Sequence, residues 1–393
     1  MSQALNTDST VKAADFPAIA RSLRPVIEEE AVPSWAACTP TPRTVAALRD
    51  AGIFSILVPK ELGGPEADMA TWTDTLAELS YADGGIGWAA LSNSTVVAIA
   101  AGWVSDEVAA GMFGHGQLCA AGQTVPKGSC VREGSRFLVK GDYSFGSATF
   151  HSDYIASGAP AVDDDGNPVL SAYGFPEMII YFVPRSKVEF KGNWDVFGLR
   201  GNGSFDYTIP EHYVDEGYVF LWSSPAKRGK GIYLLGNNIV GQAAHAGWAL
   251  GMGRRAIDEV LKNADKGPDR HSPAIGSSEA FLHDIGRYDA QLRAARLFIH
   301  DAYGNLEDIV NRGDQPTAAD FARGYAAMTN ATRTSVSIVR DCFEWTGLRA
   351  IRPSVMQRLY CDMSVGALHI TQSRQVFIRM GQALVASNAE PAS

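Results

Sequence analysis

Apolar and polar positions change rhythm twice along the chain. Up to about residue 118 the sequence is Ala-rich with few strand signals, and Pro40, Pro42, Pro59 and Gly63-Gly64-Pro65 punctuate it, which predicts helices broken by turns. Between about 119 and 228, short β-branched and aromatic runs (Phe137-Leu138-Val139, Met178 to Val183, Phe205 to Ile209) alternate with Gly, Asn, Asp and Pro. That pattern predicts antiparallel strands. From about 232 the helical period returns. Ile285, Tyr288, Leu292, Ala295, Ile299, Ala302 and Leu306 alternate spacings of three and four, and Phe321, Tyr325, Met328, Thr332, Ser335, Val339 and Cys342 repeat the pattern. Two long helices with apolar seams, joined at Gly313-Asp314-Gln315-Pro316, predict half of a four-helix bundle. The expected class is α+β, with an N-terminal all-α domain at 1–118, a middle antiparallel β domain at 119–228 and a C-terminal four-helix bundle at 229–393.

Charge narrows the function classes. Acidic residues outnumber basic ones, 43 to 34, for a net charge of −9, which is not the footprint of a nucleic-acid or anionic-membrane binder. The longest uninterrupted apolar run, Val96 to Val104, falls short of the ~20 residues of a membrane helix. The segment MSQALNTDST has neither a basic nor an apolar leader region, so a cytoplasmic chain is expected. Cys38, Cys119, Cys130, Cys342 and Cys361 are scattered without C-x-x-C spacing, the histidines show no ligand spacing, and no metal site is expected.

The chain contains no G-x-S-x-G, H-E-x-x-H or Walker A sequence. Gly251-Met252-Gly253-Arg254-Arg255-Ala256 matches a dinucleotide fingerprint in letters, but Ala-rich helical sequence precedes it where a strand is required, so its glycines read as close helix packing. Arg358, Asp362, Val365 and His369 share one face at helical spacing. Such a face is either a solvated stripe with an i,i+4 ion pair or one that ends in a catalytic histidine.

Four segments, taken together, resemble one superfamily. Phe54 to Gly64 (FSILVPKELGG) resembles the N-terminal signature of acyl-CoA dehydrogenase-fold flavoproteins. Gly141 to Tyr154 (GDYSFGSATFHSDY) resembles their flavin-facing β segment in the version found in two-component flavin monooxygenases. Trp194 to Ser204 (WDVFGLRGNGS) and Pro353 to Asp362 followed by His369 resemble two further segments of that group. The resemblance implies the same three-part fold, a homotetramer, and a flavin between the β domain and the C-terminal bundle, with a neighbouring subunit completing the site. It implies flavin contacts at Gln123, Thr124, Phe145, Ser147, Trp194, Arg270 and Thr371, with Ser147 facing flavin N5, and an active-site role for His369.

Two chemistries compete within the superfamily. Its dehydrogenases need a carboxylate base, yet neither Met363 to Ser387 nor Gly217 to Ile257, where the base usually lies, contains an Asp or Glu. Its oxygenases take reduced flavin from a separate NAD(P)H:flavin reductase and react it with O₂ through a C4a-hydroperoxide. The resemblance thus implies the oxygenase component of a two-component monooxygenase, with exchangeable reduced FMN or FAD and a small aromatic, polycyclic or heteroatom substrate. The competing readings are an acyl-CoA dehydrogenase-like oxidase or dehydrogenase and an inactive tetrameric scaffold. One departure stands out: phenol hydroxylases of the group carry a histidine soon after a Gly-Trp pair, and Gly87-Trp88 has none after it.

Overall fold

The structure is a computed structural model that describes residues 15–163, 167–170, 176–267, 271–369 and 372–389. Among the described residues, six helices come first: α1 (Phe16–Ser22), α2 (Arg24–Ala37), α3 (Pro42–Asp50), α4 (Met69–Ala82), α5 (Gly84–Trp103) and α6 (Asp106–Phe113). The central helix α5 is buried from its first residue to its last. It is long and apolar enough to cross a membrane, but the protein's own helices and sheet cover it, as they cover the core helix of a globular fold. Its start is set by Asp83, whose Oδ1 accepts from Gly85 N at 3.0 Å and Ile86 N at 3.1 Å.

Eight strands follow among the described residues: β1 (Ala120–Pro126), β2 (Ser129–Glu133), β3 (Arg136–Gly146), β4 (Tyr154–Pro160), β5 (Met178–Pro184), β6 (Glu189–Phe190), β7 (Phe205–Asp215) and β8 (Val219–Leu221). They form two four-stranded sheets, ordered β1-β4-β5-β8 and β2-β3-β7-β6. A buried core that includes Tyr143, Tyr181 and Tyr207 fills the region. The expectation of purely antiparallel pairing needs one correction: β1 and β4 run parallel. Parallel neighbours require a crossover, and here the β2–β3 hairpin, which belongs to the other sheet, provides it.

The remaining helices are α7 (Asn237–Leu261), α8 (Glu279–Asn311), α9 (Ala318–Thr346), α10 (Val355–Gly366) and α11 (Gln375–Ala389). The two apolar seams read in the sequence lie on α8 and α9. The glycines of α7 are packing positions, as expected. A Cβ on Gly247 would meet Thr73 O of α4 at 2.3 Å, and one on Gly251 would meet Ala77 O at 2.1 Å.

The face read from Arg358 to His369 is not a solvated stripe. Asp362 is 1% exposed, its Oδ1 accepts from Leu199 N at 2.5 Å, and Arg358 Nε lies 3.7 Å from Asp83 Oδ2. Burial pushes both carboxyls above the usual carboxylate range, and the charge of Asp83 adds to the rise at Asp362. The helix also ends before the histidine. Gly366 presses against Trp248, where a Cβ would lie 2.2 Å from the ring, and His369 sits in the turn beyond, its N–H on Gly366 O at 3.2 Å.

A second buried carboxyl, Glu307 of α8, accepts from Met69 N at the start of α4 with both oxygens at 3.2 Å. The helix N-terminus favours the anion, but burial dominates and raises its pKa to about 7.

Two outcomes are expected from these groups. Asp362→Ala leaves Leu199 N–H without its acceptor and should cost about 2–4 kcal/mol in denaturant unfolding, whereas Asp362→Asn keeps an acceptor and should cost clearly less. For Glu307, a folded pKa above the unfolded value means that its stabilisation is complete below about pH 4.5 and is lost as pH rises through about 7. Glu307→Gln, which removes the titration, should therefore gain roughly 2–3 kcal/mol relative to the wild type between pH 5 and pH 8, read from melting curves at the two values.

Candidate active site

Ser147 sits where β3 gives way to a kinked turn. Phe145 (φ 63°) and Ala148 (φ 61°) both adopt the left-handed conformation, which non-glycine residues rarely hold. Between them Gly146 has no room for a side chain, since a Cβ would lie 2.6 Å from the Tyr207 ring. The kink turns the Ser147 hydroxyl towards α5, where Trp88 Nε1 donates to Ser147 Oγ at 3.1 Å. One turn further along α5, Ser92 Oγ donates to Ser147 O at 3.0 Å. On the other side, the turn before β7 places Ser204 Oγ 2.7 Å from Ser147 Oγ. Ser204 is held in turn by Asn202, whose Oδ1 accepts from Ser204 N at 3.0 Å and from Ser204 Oγ at 2.8 Å.

Trp88 also carries the link to the histidines. Its ring stands edge-on to His245 of α7 at 5.1 Å, to Trp248 at 5.0 Å and to His369 at 5.8 Å. The two imidazoles lie 4.3 Å apart, centroid to centroid. Burial lowers the pKa of His369 to about 4 and holds that of His245 well below its ordinary value, with His369 adding to the effect. Both rings are therefore neutral at neutral pH. The cluster pairs a hydroxyl with two uncharged imidazoles and, among the described residues, no carboxylate contacts them.

The structure brings the two sequence-predicted catalytic residues, Ser147 and His369, against one indole, that of Trp88. Phe145 and Trp194 meet at 6.2 Å edge to face, and Trp194 Nε1 donates to Leu199 O at 2.9 Å. Gln123 and Thr124 lie on β1, and Gln123 Nε2 donates to Ser144 O at 3.3 Å, two residues from the kink. Arg270 and Thr371 lie outside the described residues. Three partners escaped the sequence reading of the site: Trp88, Ser204 and His245. Ser204 ends one of the quoted segments, and His245 is a lone polar residue in the otherwise apolar run Ala243 to Leu250, which was the available signal.

These residues fit a flavin. The Phe145 ring is 64% exposed although its backbone is strained, the arrangement of a side chain held out for a ligand. Asn202 Nδ2 is a buried donor without a partner beside the Ser204–Ser147 pair.

Comparison with known proteins agrees. Residues 15–110 match the family model described as acyl-CoA dehydrogenase, N-terminal domain, and residues 243–374 match its C-terminal domain. The indole-3-acetate monooxygenase of Pseudomonas putida is 24% identical over 330 residues, which are 83% of this chain and 82% of that protein. The crystal structure of 3-HSA hydroxylase from Rhodococcus sp. RHA1 shares the fold with a TM-score of 0.86 at 18% identity, covering 97% of this chain and 98% of that one. XiaF from Streptomyces sp., solved with FADH2 and glycerol, follows at 0.83 and 19%, with 97% of both chains covered. With more than half of its length matched by the two family models, the chain belongs to the acyl-CoA dehydrogenase family, on the side of its flavin-dependent monooxygenases.

Proposed function

We propose that this flavin-dependent monooxygenase is the oxygenase component of a two-component system, fed with reduced flavin by a separate NAD(P)H:flavin reductase. The observation that carries the reading is the cluster itself, in which the Ser147 hydroxyl and the His245–His369 pair meet around Trp88 with no acidic base among them. A dehydrogenase reading lacks the group that would take a substrate proton to a carboxylate. When bound, reduced flavin supplies the electrons that let one atom of O₂ enter the substrate while the other leaves as water.

The chain's own residues then divide the work. Phe145 and Trp194 would hold the ring system, Gln123 and Thr124 on β1 would contact it, and Ser147 would face N5. Arg270 and Thr371 are the further flavin contacts that the resemblance implies. The FADH2 complex of XiaF supports FAD in the reduced state, and FMN is the alternative. The likeness to indole-3-acetate monooxygenase supports a small aromatic or heteroaromatic substrate. Exposed apolar side chains on α8 (Leu282, Leu297) and α11 (Phe377, Ile378, Leu384, Val385) support assembly into a homotetramer. His369 acts on the substrate side. Its imidazole, kept neutral by burial, accepts a proton from the substrate, and the His245 ring packs against it at 4.3 Å.

The test supplies chemically reduced FAD or FMN to the protein with ¹⁸O₂ and a panel of indoles, phenols and thioethers. Incorporation of one labelled oxygen atom into a panel member is expected, and reoxidation that yields only H₂O₂ across a broad panel would count against the reading. Within that assay His369→Asn should slow oxygen transfer by about 10²–10⁴-fold while reduced-flavin binding persists. Because burial depresses the His369 pKa to about 4, the acidic limb of the wild-type rate should lie near that value and not near the 6.5 of a free imidazole.

A further inference from the structure

The protons around Ser147 can be assigned one by one, and the assignment leaves its oxygen a single role. An indole N–H only donates, so Ser147 Oγ is the acceptor in the 3.1 Å contact with Trp88. A backbone N–H also only donates, so the 3.0 Å contact with Ser204 N identifies the Asn202 side-chain atom as its oxygen and fixes the amide's orientation. Ser204 Oγ lies 2.8 Å from that same oxygen, which has no proton to give, so the one hydroxyl proton of Ser204 is committed there. The 2.7 Å contact between the two serine oxygens must then be bridged by the proton of Ser147. Ser147 Oγ has spent its proton on Ser204 and taken one from Trp88. What it offers a ligand is a lone pair.

Solvent does not rewrite this chain of bonds. Ser204 is 2% exposed and Asn202 1%. Asn202 O also accepts from Ala148 N at 3.1 Å, which ties the amide's residue to the Ser147 turn.

The two oxidation states of an isoalloxazine differ at N5: the reduced ring carries an N–H and the oxidised ring a bare lone pair. We propose that Ser204 and Asn202 are positioning residues that lock Ser147 Oγ as a hydrogen-bond acceptor, so that the site selects reduced over oxidised flavin. The inference rests on the reading that Ser147 faces N5. Oxidised flavin can be satisfied only if the Ser147 proton leaves Ser204. That would either leave two hydroxyl oxygens 2.7 Å apart with no proton between them or draw the Ser204 proton away from Asn202, and one hydrogen bond is lost in both cases. The preference is thus built from neutral groups, and it follows from which partner owns each proton.

The experiment measures dissociation constants for dithionite-reduced and oxidised FAD and FMN under argon, in the wild type, Ser204→Ala, Asn202→Ala and Ser204→Thr, with melting curves to verify folding. In the wild type the reduced form binds tighter. Ser204→Ala releases the Ser147 proton, and Asn202→Ala releases the Ser204 proton to serve Ser147. Either variant should tighten oxidised-flavin binding roughly threefold to tenfold with little change for the reduced form. Ser204→Thr keeps the hydroxyl and should restore the wild-type ratio. Equal weakening of both forms in both alanine variants, or an unchanged ratio, overturns the lock while leaving the flavin site standing. A wild type that binds neither form overturns the site reading and the lock together.

Discussion

Two buried carboxyls gathered about one guanidinium hold the site in register. Asp83 caps α5, Arg358 of α10 reaches it, and Asp362 one turn later takes the backbone N–H of Leu199. Groups of this kind are costly to bury and costlier to break, so the three chain segments that meet there cannot drift apart independently. Each of those segments carries part of the chemistry a few residues on. Trp88 lies five residues past Asp83, Ser204 five residues past Leu199, and His369 seven residues past Asp362. Gly84 and Gly198 mark how tightly the elements close, since added Cβ atoms would meet Asp362 Oδ2 at 2.8 Å and Cys361 O at 2.0 Å.

Much of this could be read in the sequence because it rests on local periodicity and motifs. The seams of α8 and α9, the turn-rich strands and the glycines of α7 all follow from spacing and residue type. The parallel pairing of β1 with β4 did not, because a strand's own pattern does not record which neighbour it takes when a hairpin intervenes. Arg358 and Asp362 had the spacing of an ordinary surface ion pair. What buries them is Asp83, some 275 residues earlier, and no local pattern reports it. Ser147 and His369 were found through segment resemblance, while Trp88 and His245 come from helices on either side and meet only in three dimensions.

The resulting chemistry depends on keeping charge out. No histidine follows Gly87-Trp88 within the next turns of α5, and α7 places His245 against His369. Both rings are uncharged because burial penalises the imidazolium, and the buried carboxyls Asp83 and Asp362 are engaged with the start of α5 and with Leu199. Uncharged imidazoles beside a fixed acceptor suit the transfer of oxygen to an apolar substrate, where stray protons and water divert O₂ to peroxide.

The central claim is that Ser147, held by Trp88 and Ser204, faces the reacting edge of a reduced flavin. Rapid mixing of the protein and prereduced flavin with aerated buffer tests it most directly, followed across the flavin absorption bands for the wild type and Ser147→Ala. The account predicts two resolved phases in the wild type, with the return of the oxidised-flavin spectrum delayed, and a delay shortened about threefold to tenfold in the variant. A single phase at the rate of free flavin in both proteins would contradict it.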